Sequence, residues 1–245
     1  MLGVTEVGLT PRRRLRALLA ARSRLERLAA LHTGPRLFKF AHYYPAYHAH
    51  ISRFRRRPVT LLEIGVGYGG SLRLWRRYFG RRARIIGIDM NPDAAEHAGG
   101  RIHVEIGSQA DPEFLARVAR DHGPFDIVID DGSHAYAHQL ITFQALFPHI
   151  AEGGIYACED LQTSYQAAEF GGGVNVSGTY VEFLKTLIDA LNGWFWREGF
   201  EDETGIDRAL HALHFHPALV IIEKRRGAAP VLTHVGDLPE PGAAK

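Results

Sequence analysis

The sequence predicts an α/β fold with a mostly parallel, seven-stranded sheet and helices on both faces. From about residue 59, short apolar runs rich in β-branched residues alternate with helical stretches. This alternation is typical of a doubly wound sheet whose strands are joined by right-handed crossovers. Two further strands joined by a tight turn, within residues 211–222, predict an antiparallel hairpin at the C-terminal end of the sheet.

Five short segments predict the parallel strands, and the apolar runs that precede Asp130 and Glu159 are expected to be buried. The five segments cover residues 59–65, 84–89, 102–106, 125–130 and 154–159. Helices are predicted between them at 70–79, 112–121 and 136–148, and after a glycine-rich stretch at 179–192.

The first 57 residues are strongly basic. They hold thirteen Lys and Arg against two Glu, although the net charge of the whole chain is only +2. Leucine and alanine interleave with the basic residues over 10–32, which predicts one amphipathic helix. We interpret its basic face as solvated or docked on the acidic remainder of the protein. Contact with nucleic acid or with a phosphorylated substrate stays an alternative.

Composition argues against several classes of protein. No apolar run approaches the roughly 20 residues of a membrane span, and the N-terminus lacks the apolar core of a signal peptide. The lone cysteine, Cys158, excludes an intrachain disulfide framework and is expected to be a small buried residue. We therefore expect a cytoplasmic protein.

A glycine loop follows the first predicted strand and leads into a helix. Gly65, Gly67 and Gly70 allow a tight turn and a close approach of the backbone to a ligand, and Ser71 begins the helix. Asp89, at the end of the second strand, is placed to bind ribose hydroxyls. This pattern is shared by sites for nicotinamide dinucleotides and for S-adenosylmethionine.

Other residues favour S-adenosylmethionine. Glu63 precedes the loop, where a carboxylate can pair with the cationic methionine end of that cofactor. A chain of this length is also short for a two-domain dehydrogenase, so an NAD-dependent oxidoreductase is kept as the alternative class. Ser108 and Gln109 follow the third strand and are candidates for hydrogen bonds to adenine, although Ser108 could simply cap a turn.

Acidic residues follow two neighbouring predicted strands. Asp130 and Asp131 end the fourth strand, with His134 three residues later, and Glu159 and Asp160 follow the fifth. In parallel sheets, ligands bind outside the carboxyl ends of the strands. Carboxylates gathered there repel one another unless a cation lies among them. The pattern therefore predicts a hard divalent metal with a base beside it.

These motifs together resemble the class I, magnesium-dependent sugar O-methyltransferases of antibiotic biosynthesis, of the mycinamicin and tylosin macrolide type. Cephalosporin-cluster methyltransferase-like proteins are relatives of that group. The resemblance covers roughly residues 36–224 and implies a Rossmann-like class I methyltransferase fold. It is carried by Leu-Leu-Glu-Ile-Gly-Val-Gly (61–67), Gly-Ser-Leu-Arg-Leu-Trp (70–75), Gly-Ile-Asp (87–89), Asp-Asp-Gly-Ser-His (130–134), Leu-Phe-Pro-His (146–149) and Glu-Asp-Leu-Gln-Thr-Ser-Tyr (159–165).

The resemblance implies roles for the acidic residues and the histidine. Asp131, Glu159 and Asp160 would bind Mg²⁺, and His134 would be the general base. Asp130 is kept as a candidate cofactor contact, with metal binding and turn capping as alternatives.

Composition and motifs together predict how the chain is divided. Residues 1–57 would form the basic helix and a cofactor-covering segment that includes Tyr44, 58–235 the methyltransferase domain, and 236–245 a disordered tail. The expected acceptor is a sugar hydroxyl of a glycosylated natural product or a sugar nucleotide, with a catechol or other phenol as the alternative. We expect a homo-oligomer with neither membrane nor nucleic-acid partners.

Overall fold

The computed structural model describes residue 8, residues 10–202 and residues 205–236. Within these ranges lies a seven-stranded sheet of order β3-β2-β1-β4-β5-β7-β6. The strands are β1 Thr60–Ile64, β2 Arg84–Asp89, β3 Ile102–Ile106, β4 Phe125–Asp130, β5 Ile150–Cys158, β6 Leu210–His216 and β7 Leu219–Lys224.

The pairing of the strands confirms the predicted sheet. Strands β1 to β5 are parallel, whereas β7 is antiparallel to β5 and β6 is antiparallel to β7. The strand order changes direction between β1 and β4, and in such sheets the ligand crevice opens at that point. Strand β5 begins at Ile150 rather than at the predicted residue 154. Gly153 and Gly154 interrupt its apolar pattern, and an irregularity in the β4–β5 register accommodates them.

The predicted helices at 70–79, 112–121 and 179–192 are confirmed within one residue at each end. The predicted helix at 136–148 ends at Leu146 and continues as a 3₁₀ turn, where Pro148 cannot donate a helical hydrogen bond. The α-helices are α1 Pro11–Ala20, α2 Arg24–Ala30, α3 Tyr43–Ile51, α4 Gly70–Phe79, α5 Pro112–His122, α6 Tyr136–Leu146, α7 Ala167–Phe170, α8 Tyr180–Leu191 and α9 Ile206–Ala209.

The prediction of one basic helix over 10–32 is wrong, because the chain turns between α1 and α2. The Ser23 side chain accepts a hydrogen bond from the Glu26 amide, and the Glu26 carboxylate accepts one from the Ser23 amide. This capping box starts a new helix. Leu25 in α2 is fully buried, whereas no side chain of α1 is buried.

Two apolar cores flank the sheet, because successive side chains of a strand point to opposite faces. One core joins alternate strand residues such as Val128 and Tyr156 to α5, α6 and α8. The other joins the intervening strand residues, such as Ile129 and Ala157, to α2, α3 and α4. Helices therefore cover both faces, as predicted.

Two expectations are not tested by the fold. Beyond Gly236, the predicted tail at 236–245 lies outside the described residues, and the division at residue 57 stays a prediction. In the part of the chain that the structure describes, no helix is long and apolar enough to cross a membrane.

Candidate active site

The acidic residues at the ends of β4 and β5 point to different faces of the sheet. Asp130 follows the same alternation as Val128 and accepts a hydrogen bond from the Tyr156 hydroxyl at 3.1 Å, in the core beneath α6. Asp131 and Glu159 follow the opposite alternation and lie on the α3 side. The acidic residues that were predicted as one group therefore form two groups, one in the core beneath α6 and one on the α3 side of the sheet.

Asp130 is a buried acceptor that orders the loop after β4. Besides the Tyr156 bond, it accepts one from Gln109 Nε2 at 3.1 Å. Burial raises the pKa of Asp130 to about 6, although the hydrogen bonds from Tyr156 and Gln109 oppose the change. The Gln109 carbonyl oxygen accepts the Ser133 amide at 2.6 Å. Both side chains are thus engaged within the protein, and their contacts to a cofactor stay predictions.

A lysine ammonium lies among three carboxylates on the α3 side. Lys39 Nζ is 2.6 Å from Asp131 Oδ2, 2.7 Å from Glu159 Oε1 and 3.2 Å from Glu63 Oε1, and the Lys39 side chain is fully buried. Burial alone would lower the pKa of Lys39, but the three carboxylates outweigh it and hold that pKa well above its usual value. The protein itself supplies one of the cations that the acidic pattern requires.

Glu159 and Glu63 are both buried. Glu159 accepts a hydrogen bond from the Tyr47 hydroxyl at 2.6 Å, and burial together with repulsion by Asp131 raises its pKa to about 8. Glu63 Oε1 accepts from Trp75 Nε1 at 3.0 Å. Glu63 Oε2 is buried without a hydrogen-bond partner among the described residues. That oxygen is suited to accept a hydrogen bond from a ligand ammonium group.

His134 and Asp160 meet Asp131 at the mouth of the site. One donor atom of each of these three residues lies within 4.8 Å of the others, and His134 Nε2 is 3.4 Å from Asp160 Oδ2. His134 and Asp160 both adopt the left-handed backbone region, with φ of 58° and 57°. Residues other than glycine visit that region at a cost, often at functional sites. We call Glu63, Asp131, His134, Glu159 and Asp160 the strand-end site.

Helix α3 covers the strand-end site with two tyrosines. Tyr47 binds Glu159, as described above, and the Tyr43 hydroxyl donates to Asp160 Oδ1 at 2.9 Å. Burial raises the pKa of Asp131 to about 6, although Lys39 opposes the change. Helix α3 therefore binds Glu159 and Asp160 through its tyrosines, and Glu159 is buried beneath it.

The glycine loop passes directly beside this group. Gly65 has φ of +90°, and a Cβ there would lie 2.0 Å from the Asp131 carbonyl oxygen. Gly67 has φ of +50°. The Asp89 carboxylate accepts the backbone amides of Val66 and Gly67 at 3.0 and 2.9 Å, so it holds the loop in shape. Its predicted contact to ribose hydroxyls is not tested by this geometry.

Three other predicted cofactor contacts are placed less directly. Ser71 lies buried in the first turn of α4, next to the glycine loop. Ser108 Oγ accepts the Ala110 amide at 3.1 Å, which is the turn-capping alternative. Tyr44 packs on the core beneath α3. All three stay predictions.

Comparison with known proteins agrees with this arrangement. Residues 62–161 match a family model described as a methyltransferase domain. An 8-demethyl-8-alpha-L-rhamnosyl tetracenomycin-C 2'-O-methyltransferase of Streptomyces olivaceus is 44% identical over 191 residues, covering 75% of this chain and 50% of that protein. The mycinamicin VI 2''-O-methyltransferase of Micromonospora griseorubida is 41% identical over 214 residues, covering 82% and 53%. The chain is a homologue of sugar O-methyltransferases.

A solved structure confirms the fold of this methyltransferase homologue. The MycE methyltransferase of the mycinamycin pathway, in complex with Mg, SAH and mycinamycin VI, matches with a TM-score of 0.74 at 39% identity. The match covers 82% of this chain and 53% of that one. The predicted Rossmann-like methyltransferase fold is therefore confirmed. The chain spans about half the length of the curated relatives it matches.

Sequence reasoning missed the residues that hold the carboxylates in place. Lys39, Tyr43 and Tyr47 fall within residues 1–57, which include the predicted cofactor-covering segment, but none of them was predicted to contact the carboxylates. Helix α3 was not predicted as a helix. One signal for Lys39 was available, because it stands between Phe38 and Phe40 in an aromatic segment. A lysine flanked in this way is buried only if anions neutralise it.

Proposed function

We propose that the protein is an S-adenosylmethionine- and Mg²⁺-dependent O-methyltransferase that methylates a sugar hydroxyl of a glycosylated natural product or of its sugar precursor. The observation that carries the proposal is the convergence of Asp131, His134 and Asp160 within 4.8 Å of one another, beside the glycine loop. The sugar O-methyltransferase activities of the homologues from Streptomyces olivaceus and Micromonospora griseorubida support the same conclusion.

The donor chemistry fits magnesium. Asp131, Glu159 and Asp160 offer carboxylate oxygens, which are the ligands that Mg²⁺ prefers. When ionised, the three carboxylates around Lys39 carry more negative charge than one ammonium neutralises. Bound Mg²⁺ would orient adjacent sugar hydroxyls and lower their pKa. Asp131 and Glu159 would then bind both the metal and Lys39, or would exchange their contacts with Lys39 for contacts with the metal.

The same residues fit S-adenosylmethionine, which would supply the methyl group. The unpartnered Glu63 Oε2 can bind the ammonium of its methionine end. Gly65 brings the backbone close to Asp131, where a Cβ would not fit. The cofactor and the carboxylates would therefore share one crevice.

His134 is the candidate general base. An imidazole is the side chain best suited to exchange protons near neutral pH. A proton taken from the acceptor hydroxyl would be held at Nε2, where Asp160 Oδ2, at 3.4 Å, stabilises the imidazolium. The deprotonated oxygen is then the nucleophile.

An acceptor screen tests the proposed substrate class. Labelled S-adenosylmethionine and Mg²⁺ are incubated with macrolide and aromatic-polyketide glycosides, with sugar nucleotides, and with catechols. We expect label transfer to a glycoside or sugar nucleotide, and none to the same compound already methylated on its sugar. Transfer to catechols alone would favour the phenol alternative.

Calorimetric titration tests the cofactor class. S-adenosylhomocysteine is expected to bind with a stoichiometry of about one per chain, and NAD is not expected to bind. Binding of NAD without binding of S-adenosylhomocysteine would favour the oxidoreductase alternative.

The proposal extends to location and partners. We place the protein in the cytoplasm as a homo-oligomer that acts on a small molecule, without membrane or nucleic-acid partners. Helix α1, with exposed Arg side chains and exposed Leu15 and Leu19, is the surface on which another partner would be sought. Salt-dependent binding to DNA or RNA would contradict this part of the proposal.

A further inference from the structure

A second group of possible metal ligands lies where α3 meets the β6–β7 hairpin, away from the strand-end site. His50 Nδ1 is 3.5 Å from Glu223 Oε1, and His214 Nε2 is 3.2 Å from the same oxygen. One donor atom of each residue lies within 4.8 Å of the other two. We call His50, His214 and Glu223 the hairpin site.

Three elements of the fold bring these side chains together. His50 lies in the last turn of α3, His214 in β6 and Glu223 in β7. The ring centroids of His50 and His214 are 4.2 Å apart. Because side chains two apart in a strand share a face, His216 lies on the same face of β6 as His214.

The spacing of the donor atoms fits a tetrahedral metal. Zinc binds imidazole nitrogen and carboxylate oxygen at about 2.0 to 2.1 Å, so neighbouring ligand atoms of a tetrahedral site lie about 3.3 Å apart. The two distances to Glu223 Oε1, 3.2 and 3.5 Å, bracket that value. The two imidazole nitrogens lie within 4.8 Å of each other, so all three donor atoms can face one metal ion.

A fourth side chain, Arg53, holds the carboxylate of this group. Arg53 Nη1 lies 3.5 Å from Glu223 Oε2, whereas both imidazoles face Oε1, so the arginine orients the carboxylate from its other oxygen.

We propose that His50, His214 and Glu223 bind a borderline divalent transition metal such as Zn²⁺, with a fourth position open to water. Two imidazoles and one carboxylate favour zinc, cobalt or nickel over magnesium. The three side chains are 15%, 35% and 16% exposed, so the metal can enter from solvent. His216 is a further imidazole nearby: its ring is 6.0 Å from that of His50, and its Nε2 is buried without a partner in the described ranges.

A metal here would tie α3, the helix that covers the strand-end site, to the β6–β7 hairpin. Helix α3 carries His50 near one end and Tyr43 at the other, seven residues or about 10 Å away. Tyr43 donates to Asp160. The hairpin site therefore ties α3 to the edge of the sheet, and its role does not depend on which acceptor is methylated.

Metal titration of the full chain, without a polyhistidine tag and after chelator treatment, tests the site. We expect one Co²⁺ per chain with the visible absorption of a tetrahedral centre, displaced by Zn²⁺ but not by excess Mg²⁺. His214→Gln is expected to weaken Zn²⁺ binding at least tenfold. The matched control His149→Gln, at an exposed histidine, is expected to bind Zn²⁺ like the wild type.

Two results would overturn the proposal. One is weak Zn²⁺ binding that His149→Gln reduces as much as His214→Gln does. The other is Zn²⁺ binding that Asp160→Asn abolishes and His214→Gln does not, which would place the metal in the strand-end site. Thermal melting without metal checks that each variant folds. If His214→Gln does not fold, Glu223→Gln is tested in its place. Zn²⁺ is expected to raise the melting temperature of the wild type but not of the hairpin-site variants.

Discussion

The strand-end site and the hairpin site lie at opposite ends of α3 and are built from different donors. The strand-end site gathers carboxylates around the buried ammonium of Lys39, with one imidazole, His134, at its mouth. The hairpin site pairs two imidazoles with one carboxylate held by Arg53. Hard oxygen ligands suit Mg²⁺, whereas imidazole suits zinc and its neighbours.

The difference shows how one fold keeps two chemistries apart. The three carboxylates around Lys39 share a single ammonium, so the strand-end site lacks enough positive charge of its own when they are ionised. At the hairpin site a single carboxylate, that of Glu223, lies among Arg53 and two imidazoles. The first site is therefore suited to recruit a dication for chemistry, and the second to bind a metal that stabilises structure.

Asp160→Asn is expected to have the largest effect on turnover. It removes a carboxylate that faces both Asp131 and His134. A metal contributes several kcal/mol to such transition states, so methyl transfer should fall on the order of a thousandfold at saturating Mg²⁺. Initial rates measure the loss. Zn²⁺ binding at the hairpin site should be unchanged, and a parallel loss there would show that the two sites are not separate.

His134→Gln is expected to lower kcat at least about a hundredfold, because general-base catalysis contributes that much or more. The matched control is His138→Gln in the same segment. His138 Nδ1 lies 2.9 Å from Ser133 Oγ, and its loss should cost less than about tenfold. Substantial turnover by His134→Gln, or an equal fall of kcat in both variants, would contradict the role of His134 as the general base.

Lys39→Met is expected to destabilise the metal-free protein by about 4 kcal/mol, because it leaves three carboxylates, of which Glu63 and Glu159 are buried, without their ammonium. Urea denaturation measures the free energy of unfolding. Lys185→Met is the control, since Lys185 pairs with Glu182 while 48% exposed and should contribute less than about 1 kcal/mol. Mg²⁺ should restore part of the loss in Lys39→Met. Equal stability of the two variants would contradict the role of Lys39.

Asp130→Asn is expected to change the pH dependence of stability. Since the folded pKa of Asp130 is raised from 3.8 to about 6, its ionisation costs the folded state about 3 kcal/mol. Its contribution to stability is therefore full below about pH 4 and is lost as pH rises through 6. Relative to Asp130→Asn, the wild type should lose stability between about pH 4 and 7. The exposed Asp93→Asn should show no such difference from the wild type, and parallel profiles for all three proteins would contradict the assignment.

Much of the fold followed from the sequence because its patterns are local. Short apolar runs gave the five parallel strands, and the residues around Pro217 gave the hairpin. The single helix predicted over 10–32 failed because a capping box at Ser23 outweighs continuous amphipathic character. The amphipathic pattern shows which residues are apolar, but the break between α1 and α2 depends on two side chains, Ser23 and Glu26, that cap the start of α2.

The residues of the candidate site were predicted from the sequence, but their contacts and the faces of the sheet on which they lie were not. The same alternation that places Val128 in one core also sends Asp130 there, so its separation from Asp131 could have been read from the strand. The salt bridges of Lys39 could not be predicted from the sequence, because 92 residues separate Lys39 from Asp131. The contact of His50 with the β6–β7 hairpin could not be predicted either, because it depends on how α3 packs on the sheet.

The central claim is that carboxylates at the ends of β4 and β5 form a Mg²⁺-dependent centre for methyl transfer. The most direct test is the initial rate of methyl transfer by the chelator-treated full chain, with S-adenosylmethionine and a glycoside acceptor, as free Mg²⁺ is raised. We expect the rate to climb from near background to a plateau in the wild type and to stay near background in Asp160→Asn. Equal turnover by the wild type with Mg²⁺ and after thorough chelation would contradict the claim.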